Sequence, residues 1–153
     1  MDPTLQPGIR IAQVFLETAR FEHRADHLSF PPETKVAPDV ELSFDTGVAK
    51  DKKSGRVRIR VRTPELATDL YAFDLQLTAL LQQIEGEENF PLDKYVGTNG
   101  WAMLFPFVRE NLASLTSRGR FGPVWLSPVN IMAIAANAGT AEHKTLPKAP
   151  DTD

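Results

Sequence analysis

Cysteine is absent from this chain of 153 residues. That removes disulfides, thiol catalysis and thiolate metal sites, and it fits a reducing compartment. Also missing is any apolar run near the roughly 20 residues that cross a bilayer, so no stable membrane insertion is expected. The opening stretch, Met1-Asp2-Pro3-Thr4-Leu5-Gln6-Pro7-Gly8, has neither the basic lead nor the apolar segment of a signal peptide. A cytoplasmic protein is the expectation. Charge of one sign is also in short supply. Lys plus Arg number 17 and Asp plus Glu 20, for a net charge of −3, which argues against nucleic acid as the main partner. What remains is an ordinary globular composition, 42% hydrophobic and 24% charged, in a chain long enough for one domain with its own core.

The polar stretch 1–8, with two prolines, reads as a flexible lead. The tail 139–153 holds threonines, lysines and two prolines without a sustained apolar period, and reads as disordered. The folded domain is expected over 9–138. Four strand patterns open it. Ile9 to Glu22 carries apolar residues on both alternating sets, so both faces are expected to be covered. Val40, Leu42 and Phe44 alternate with Glu41, Ser43 and Asp45. Val57, Ile59 and Val61 alternate with Arg56, Arg58, Arg60 and Arg62. Tyr71, Phe73, Leu75, Leu77, Ala79 and Leu81 alternate with Ala72, Asp74, Gln76 and Thr78. Asp51-Lys52-Lys53-Ser54-Gly55 suits a hairpin. The link between the first two strands carries Pro31, Pro32 and Pro38, which deny it helix. Its length fits a Greek-key crossover.

The period then changes. Trp101, Leu104, Phe105, Val108, Leu112 and Leu115 make one helical stripe. Asp93 is placed as its N-cap and Gly119 as a left-handed residue closing it. Pro106 should kink it near Ala102–Phe105. Asn130 is placed as the cap of a second helix through Ile131, Met132 and Ile134. Strands followed by helices predict the α+β class: a four-stranded antiparallel Greek-key sheet with two C-terminal helices packed on one face.

Catalytic chemistry is not legible. His23 and His27 stand four apart around Asp26, but they follow a strand and precede a double proline, with no clear third ligand. Surface loop histidines are the better reading. Glu85, Glu87, Glu88 and Asp93 lack the spacing of a calcium loop. Gly97-Thr98-Asn99-Gly100 is too short for a phosphate loop and reads instead as a loosened helix start or a close approach between helices. No enzyme, cofactor or metal is therefore expected. The stripe Arg56, Arg58, Arg60, Arg62 lies on one face of one strand. No aromatic residue interleaves with it to stack bases, while Glu41, Asp45 and Asp74 offer cross-strand partners. Ion pairing on a solvated face is the expectation.

Apolar side chains are in greater supply than catalytic ones. Leu28, Phe30 and Val36 on the crossover, Val40, Leu42 and Phe44 on the second strand, and Ile131 and Ile134 near the end would form a groove for extended peptide if they converge. The alternative is that they are simply core.

Five stretches stand out together: Phe21-Glu22, Pro38-Asp39-Val40-Glu41-Leu42-Ser43-Phe44-Asp45-Thr46, Leu104-Phe105-Pro106-Phe107-Val108-Arg109-Glu110, Ser117-Arg118-Gly119, and Leu126-Ser127-Pro128-Val129-Asn130. In order and spacing they resemble the SecB family of protein-export chaperones. The resemblance implies a homotetramer built as a dimer of dimers. It implies binding of unfolded preproteins in surface grooves by many weak contacts, and handover to the SecA motor. Positions matching the family's SecA-facing surface are Thr18, Glu22, Ala72 and Asp74, and Glu22, Ala72 and Asp74 are the contact candidates. Glu22 and Asp74 keep the acid; Thr18 does not, and Ala72 replaces a larger apolar residue. The arginine stripe is also foreign to this usually acidic family. A SecB-like chaperone dedicated to one partner, such as a toxin–antitoxin system, is the alternative.

Overall fold

The computed structural model describes residues 8–24, 26–65 and 69–127. Four strands form one antiparallel sheet: β1 (Ile9–His23), β2 (Glu41–Val48), β3 (Ser54–Arg62) and β4 (Tyr71–Gln83). Their order is β1-β4-β3-β2. Three neighbours follow one another by short links, and β1 joins beside β4 through the long connection, as a Greek key requires. The crossover holds one 3-10 turn, His27–Ser29, and no other regular element among its described residues. The β2–β3 hairpin closes as expected: Ala49 N–H donates to the Ser54 carbonyl at 2.9 Å, and Lys52 takes a positive φ of 58°.

Two helices follow, α1 (Leu92–Thr98) and α2 (Gly100–Thr116). They lie on the face where Val57, Ile59 and Val61 of β3 meet Tyr71, Phe73, Leu75, Leu77, Ala79 and Leu81 of β4. Trp101, Leu104, Phe105, Val108 and Leu112 of α2 close that core, with Leu92 and Val96 of α1. The class and the Greek-key sheet with helices on one face are therefore as the sequence predicts. No helix among the described residues is long and apolar enough to cross a membrane.

Four local expectations need correction. The stripe from Trp101 to Leu115 lies wholly on α2, but that helix does not run back to Asp93: the chain breaks at Asn99, and Gly100 opens α2. A Cβ on Gly100 would stand 2.4 Å from a Val57 methyl, so the glycine lets helix and sheet approach closely. Asp93 is not the N-cap. Pro91 holds that position with extended dihedrals, which its missing N–H suits, and Asp93 sits in the first turn. Gly119 is not a left-handed residue closing α2: Ser117 caps the helix in a right-handed conformation, and a positive φ comes only later, at Gly122. Gly119 is small because a Cβ there would lie 2.4 Å from Tyr71 Oη and 2.7 Å from Phe21 Cζ.

The fourth correction concerns β1. Its pairing with β4 shifts between Ile11 and Gln13 and again between Leu16 and Thr18. Each bulge inserts one residue, Ala12 and then Glu17, and reverses the alternation beyond it. Pairing against Leu81, Ala79, Leu77, Leu75 and Phe73 thus puts Ile11, Val14, Leu16, Ala19 and Phe21 all on the helix side. The apolar residues on both alternating sets serve mostly one face. The second helix expected from Asn130 lies outside the described residues.

Candidate binding site

The apolar candidates divide into two groups. Val36, Val40, Leu42 and Phe44 are half-buried and pack against the main core. The Phe44 ring meets Trp101 edge-on, with centroids 4.7 Å apart. Three of the four lie on or next to β2, which is an edge strand with its outer hydrogen-bonding groups unpaired in the sheet. Leu28 and Phe30, on the crossover, are exposed instead, Leu28 to 75%. Ile131 and Ile134 lie outside the described residues. The structure therefore gathers Val36, Val40, Leu42 and Phe44 on one packed margin and leaves Leu28 and Phe30 free at the start of the crossover.

Arg120, not singled out from sequence, fixes that start. Its Nη1 donates to the carbonyls of His27, at 3.0 Å, and Phe30, and its backbone N–H donates to His23 Nε2 at 2.9 Å. His23 is thus an acceptor in its neutral form, and it packs on Phe21, His27 and Tyr71. Burial, with the nearby positive charge of His27 and Arg120, lowers its pKa. His23 is therefore not a surface loop histidine: it ends β1, half-buried among rings, and holds the Arg120 N–H.

The segment after α2 is tied down by Arg109 of the Leu104–Glu110 motif and by Thr116 and Tyr71 outside the motifs. Arg109 Nε donates to the Leu126 carbonyl at 3.0 Å. Val124 N–H donates to Thr116 Oγ1 at 2.8 Å. Tyr71 Oη donates to the Gly122 carbonyl and accepts from Phe121 N–H. This segment presents Trp125, 62% exposed, an apolar side chain that the period-based reading passed over because it falls outside any helix or strand.

The opposite face of the sheet is charged. The four arginines are all paired: Arg56 with Asp45 at 2.7 Å, Arg58 with Glu17 at 2.9 Å, Arg60 with Asp74 at 2.6 Å and Arg62 with Glu41 at 2.9 Å. The ion-paired reading of the stripe holds. Glu17 is the partner the sequence pattern hid, because the bulge turns it onto this face. It accepts from Thr78, Arg58 and Gln76. Burial raises its pKa, and these hydrogen bonds outweigh that and leave it lowered.

Glu22, Ala72 and Asp74 share this face. Glu22 stands opposite Ala72, and Asp74 opposite Arg20. All three line one hollow of about 570 Å³. Asp74 is gripped by both ends of the Arg60 fork, at 2.9 and 2.6 Å, which with nearby Arg62 and Arg20 holds its pKa below the usual range. Glu22 makes no ion pair among the described residues.

Among the described residues the sheet thus has one helix-packed face, one charged face and exposed apolar side chains on its crossover. The same fold occurs in the SecB-like chaperone Rv1957 of Mycobacterium tuberculosis, solved in complex with a ChAD peptide from the HigA1 antitoxin. The TM-score is 0.60 at 21% identity, covering 80% of this chain and 91% of that one. The family model described as preprotein translocase subunit SecB matches residues 2–141. The protein-export protein SecB of Saccharophagus degradans is 31% identical over 134 residues, 86% of this chain and 79% of the relative. That of Bartonella bacilliformis is 25% identical over 146 residues, 93% of this chain and 90% of the relative. This chain belongs to the SecB family of chaperones.

Proposed function

We propose that this protein is a cytoplasmic holdase that keeps preproteins unfolded for export and passes them to the SecA motor. It acts by binding, without a catalytic step or a cofactor. The observation that carries the reading is the apolar margin Val36, Val40, Leu42 and Phe44 beside the unpaired outer edge of β2, with Leu28 and Phe30 exposed on the same crossover. An extended client can place alternate side chains along the margin while its backbone pairs with the edge. Ile131 and Ile134 would extend the groove. The working form is a homotetramer, a dimer of dimers, in which several such sites act on one client and raise overall affinity. The unpaired edge of β1, with Ile11 43% and Leu16 47% exposed, supports pairing of first strands between copies.

One observation favours the dedicated-partner alternative. Asp74, a candidate SecA contact, is already neutralised by Arg60, which leaves Glu22 as the free acid beside Ala72. Capture of SecA on the immobilised, preprotein-loaded protein separates the two readings. Retention that weakens on Glu22→Lys is expected for handover. No SecA retention, with client holding intact, would leave the dedicated chaperone.

A further inference from the structure

The crossover stretch 26–38 carries the exposed Leu28 and Phe30, and its own hydrogen bonds are all short-range. Ser29 N–H and Oγ donate to the Asp26 carbonyl, Phe30 N–H to that of His27, and Thr34 N–H and Oγ1 to that of Pro31. Among the described residues, the one side chain from another part of the chain that hydrogen-bonds this stretch belongs to Arg120. Its Nη1 takes the carbonyls of His27, which opens the 3-10 turn, and Phe30, which caps it. The base of this clamp is itself held. Arg120 N–H donates to His23 Nε2 on β1 at 2.9 Å, and Phe121 N–H donates to Tyr71 Oη on β4 at 2.8 Å. The guanidinium lies over the Phe121 ring, 5.1 Å from its centroid. One side chain thus ties a turn bearing two exposed apolar residues to the sheet.

We propose that Arg120 is a positioning residue for client binding: it presets the turn, so that Leu28 and Phe30 meet an extended apolar segment already in place. This rests on the holdase reading above and deepens it. A turn ordered in advance spares the client complex the entropy of ordering it. His23 governs the clamp. The titratable or charged groups set against it are Arg120, His27 and Tyr71, while Phe21 and Phe121 bring only rings. Burial, with the charge of His27 and Arg120, keeps its pKa low, so it takes a proton only in acid. That proton removes the lone pair that accepts from Arg120 N–H and sets a second positive charge beside the guanidinium, which loosens the turn.

Fluorescence anisotropy of a labelled Leu-Ser-Phe-Ser repeat peptide on the full chain tests this. The peptide has no titrating side chain, so a pH dependence belongs to the protein. Arg120→Ala is expected to weaken binding roughly tenfold at neutral pH. Arg120→Lys should recover part of the loss, because one nitrogen makes both carbonyl contacts and an ammonium carries three donors. The wild type should bind less tightly at about pH 5 than at about pH 7.5, and Arg120→Ala, with no clamp left to release, should change less. Leu28→Ser separates the two ideas. Binding equal to the wild type there ends the client role of the turn and this inference with it. If Leu28→Ser weakens binding, then wild-type affinity in Arg120→Ala, or no advantage of Arg120→Lys over it, overturns the positioning role alone and leaves the holdase reading standing.

Discussion

At the level of single residues, two positions near the end of α2 do more than their chemistry suggests. Gly119 is the point where the chain passes over Tyr71 and Phe21. Both neighbours are rings held by other contacts, and Tyr71 is fully buried, so neither can move aside freely. Gly119→Ala is expected to destabilise the fold by about 1–3 kcal/mol, the usual cost of overpacking, readable as a lower urea midpoint at unchanged slope. His23 is the second. Burial and two positive neighbours depress its pKa, so the folded state takes up its proton later than the unfolded chain does. Its contribution is therefore neutral above the ordinary histidine range, near 6.5, and becomes destabilising as pH falls below it. Asp74, with its lowered pKa, works the other way round. It supports the fold above the ordinary carboxylate range and loses that support only in more acid solution. Between pH 7.5 and 5.5 the wild type should lose stability that His23→Gln retains. The glutamine can still accept from Arg120 N–H but does not titrate. Parallel midpoints for the two proteins across that window would contradict the assignment.

At the level of elements, β1 is held by its irregularities. The Glu17 bulge puts a carboxylate over Thr78, whose side chain is buried, and over Arg58 and Gln76. Glu17→Ala leaves that hydroxyl and guanidinium short of a partner and is expected to cost about 1–2 kcal/mol. Amide exchange should quicken along β1 and β4 more than along β2; uniform change would count against it. This strand also shows where sequence reasoning stops. Alternation located all four strands, because a half-buried strand must alternate. It also exposed the arginine stripe and three of its four acid partners. A bulge adds a residue without changing composition, so neither Ala12 nor Glu17 declared itself. The break at Asn99 was legible only as a loosened helix start at Gly97 to Gly100. The apolar stripe of α2 is complete on its own, and only the sheet's approach at Val57 reveals why Gly100 must start a new helix. Among site residues, β2 was legible from its pattern. Arg120 was not, since its partners are carbonyls of a distant loop.

At the level of the whole molecule, the sheet divides the work. One face is given to the helices and the core, the other to paired charges, and among the described residues no strand pairs with the outer edge of β1 or β2. The family motifs around Arg109, Thr116 and Gly119 serve the scaffold. They hold residues 121–126 against α2 and Tyr71 of β4. The β1 edge and its exposed Ile11 and Leu16 support the proposed assembly, which would multiply weak client contacts. Native mass determination, with and without a preprotein freshly diluted from denaturant, tests this account most directly. The account predicts a species of four chain masses alone, and that species carrying client after mixing. A monomer that stays free of client while the preprotein aggregates would contradict it.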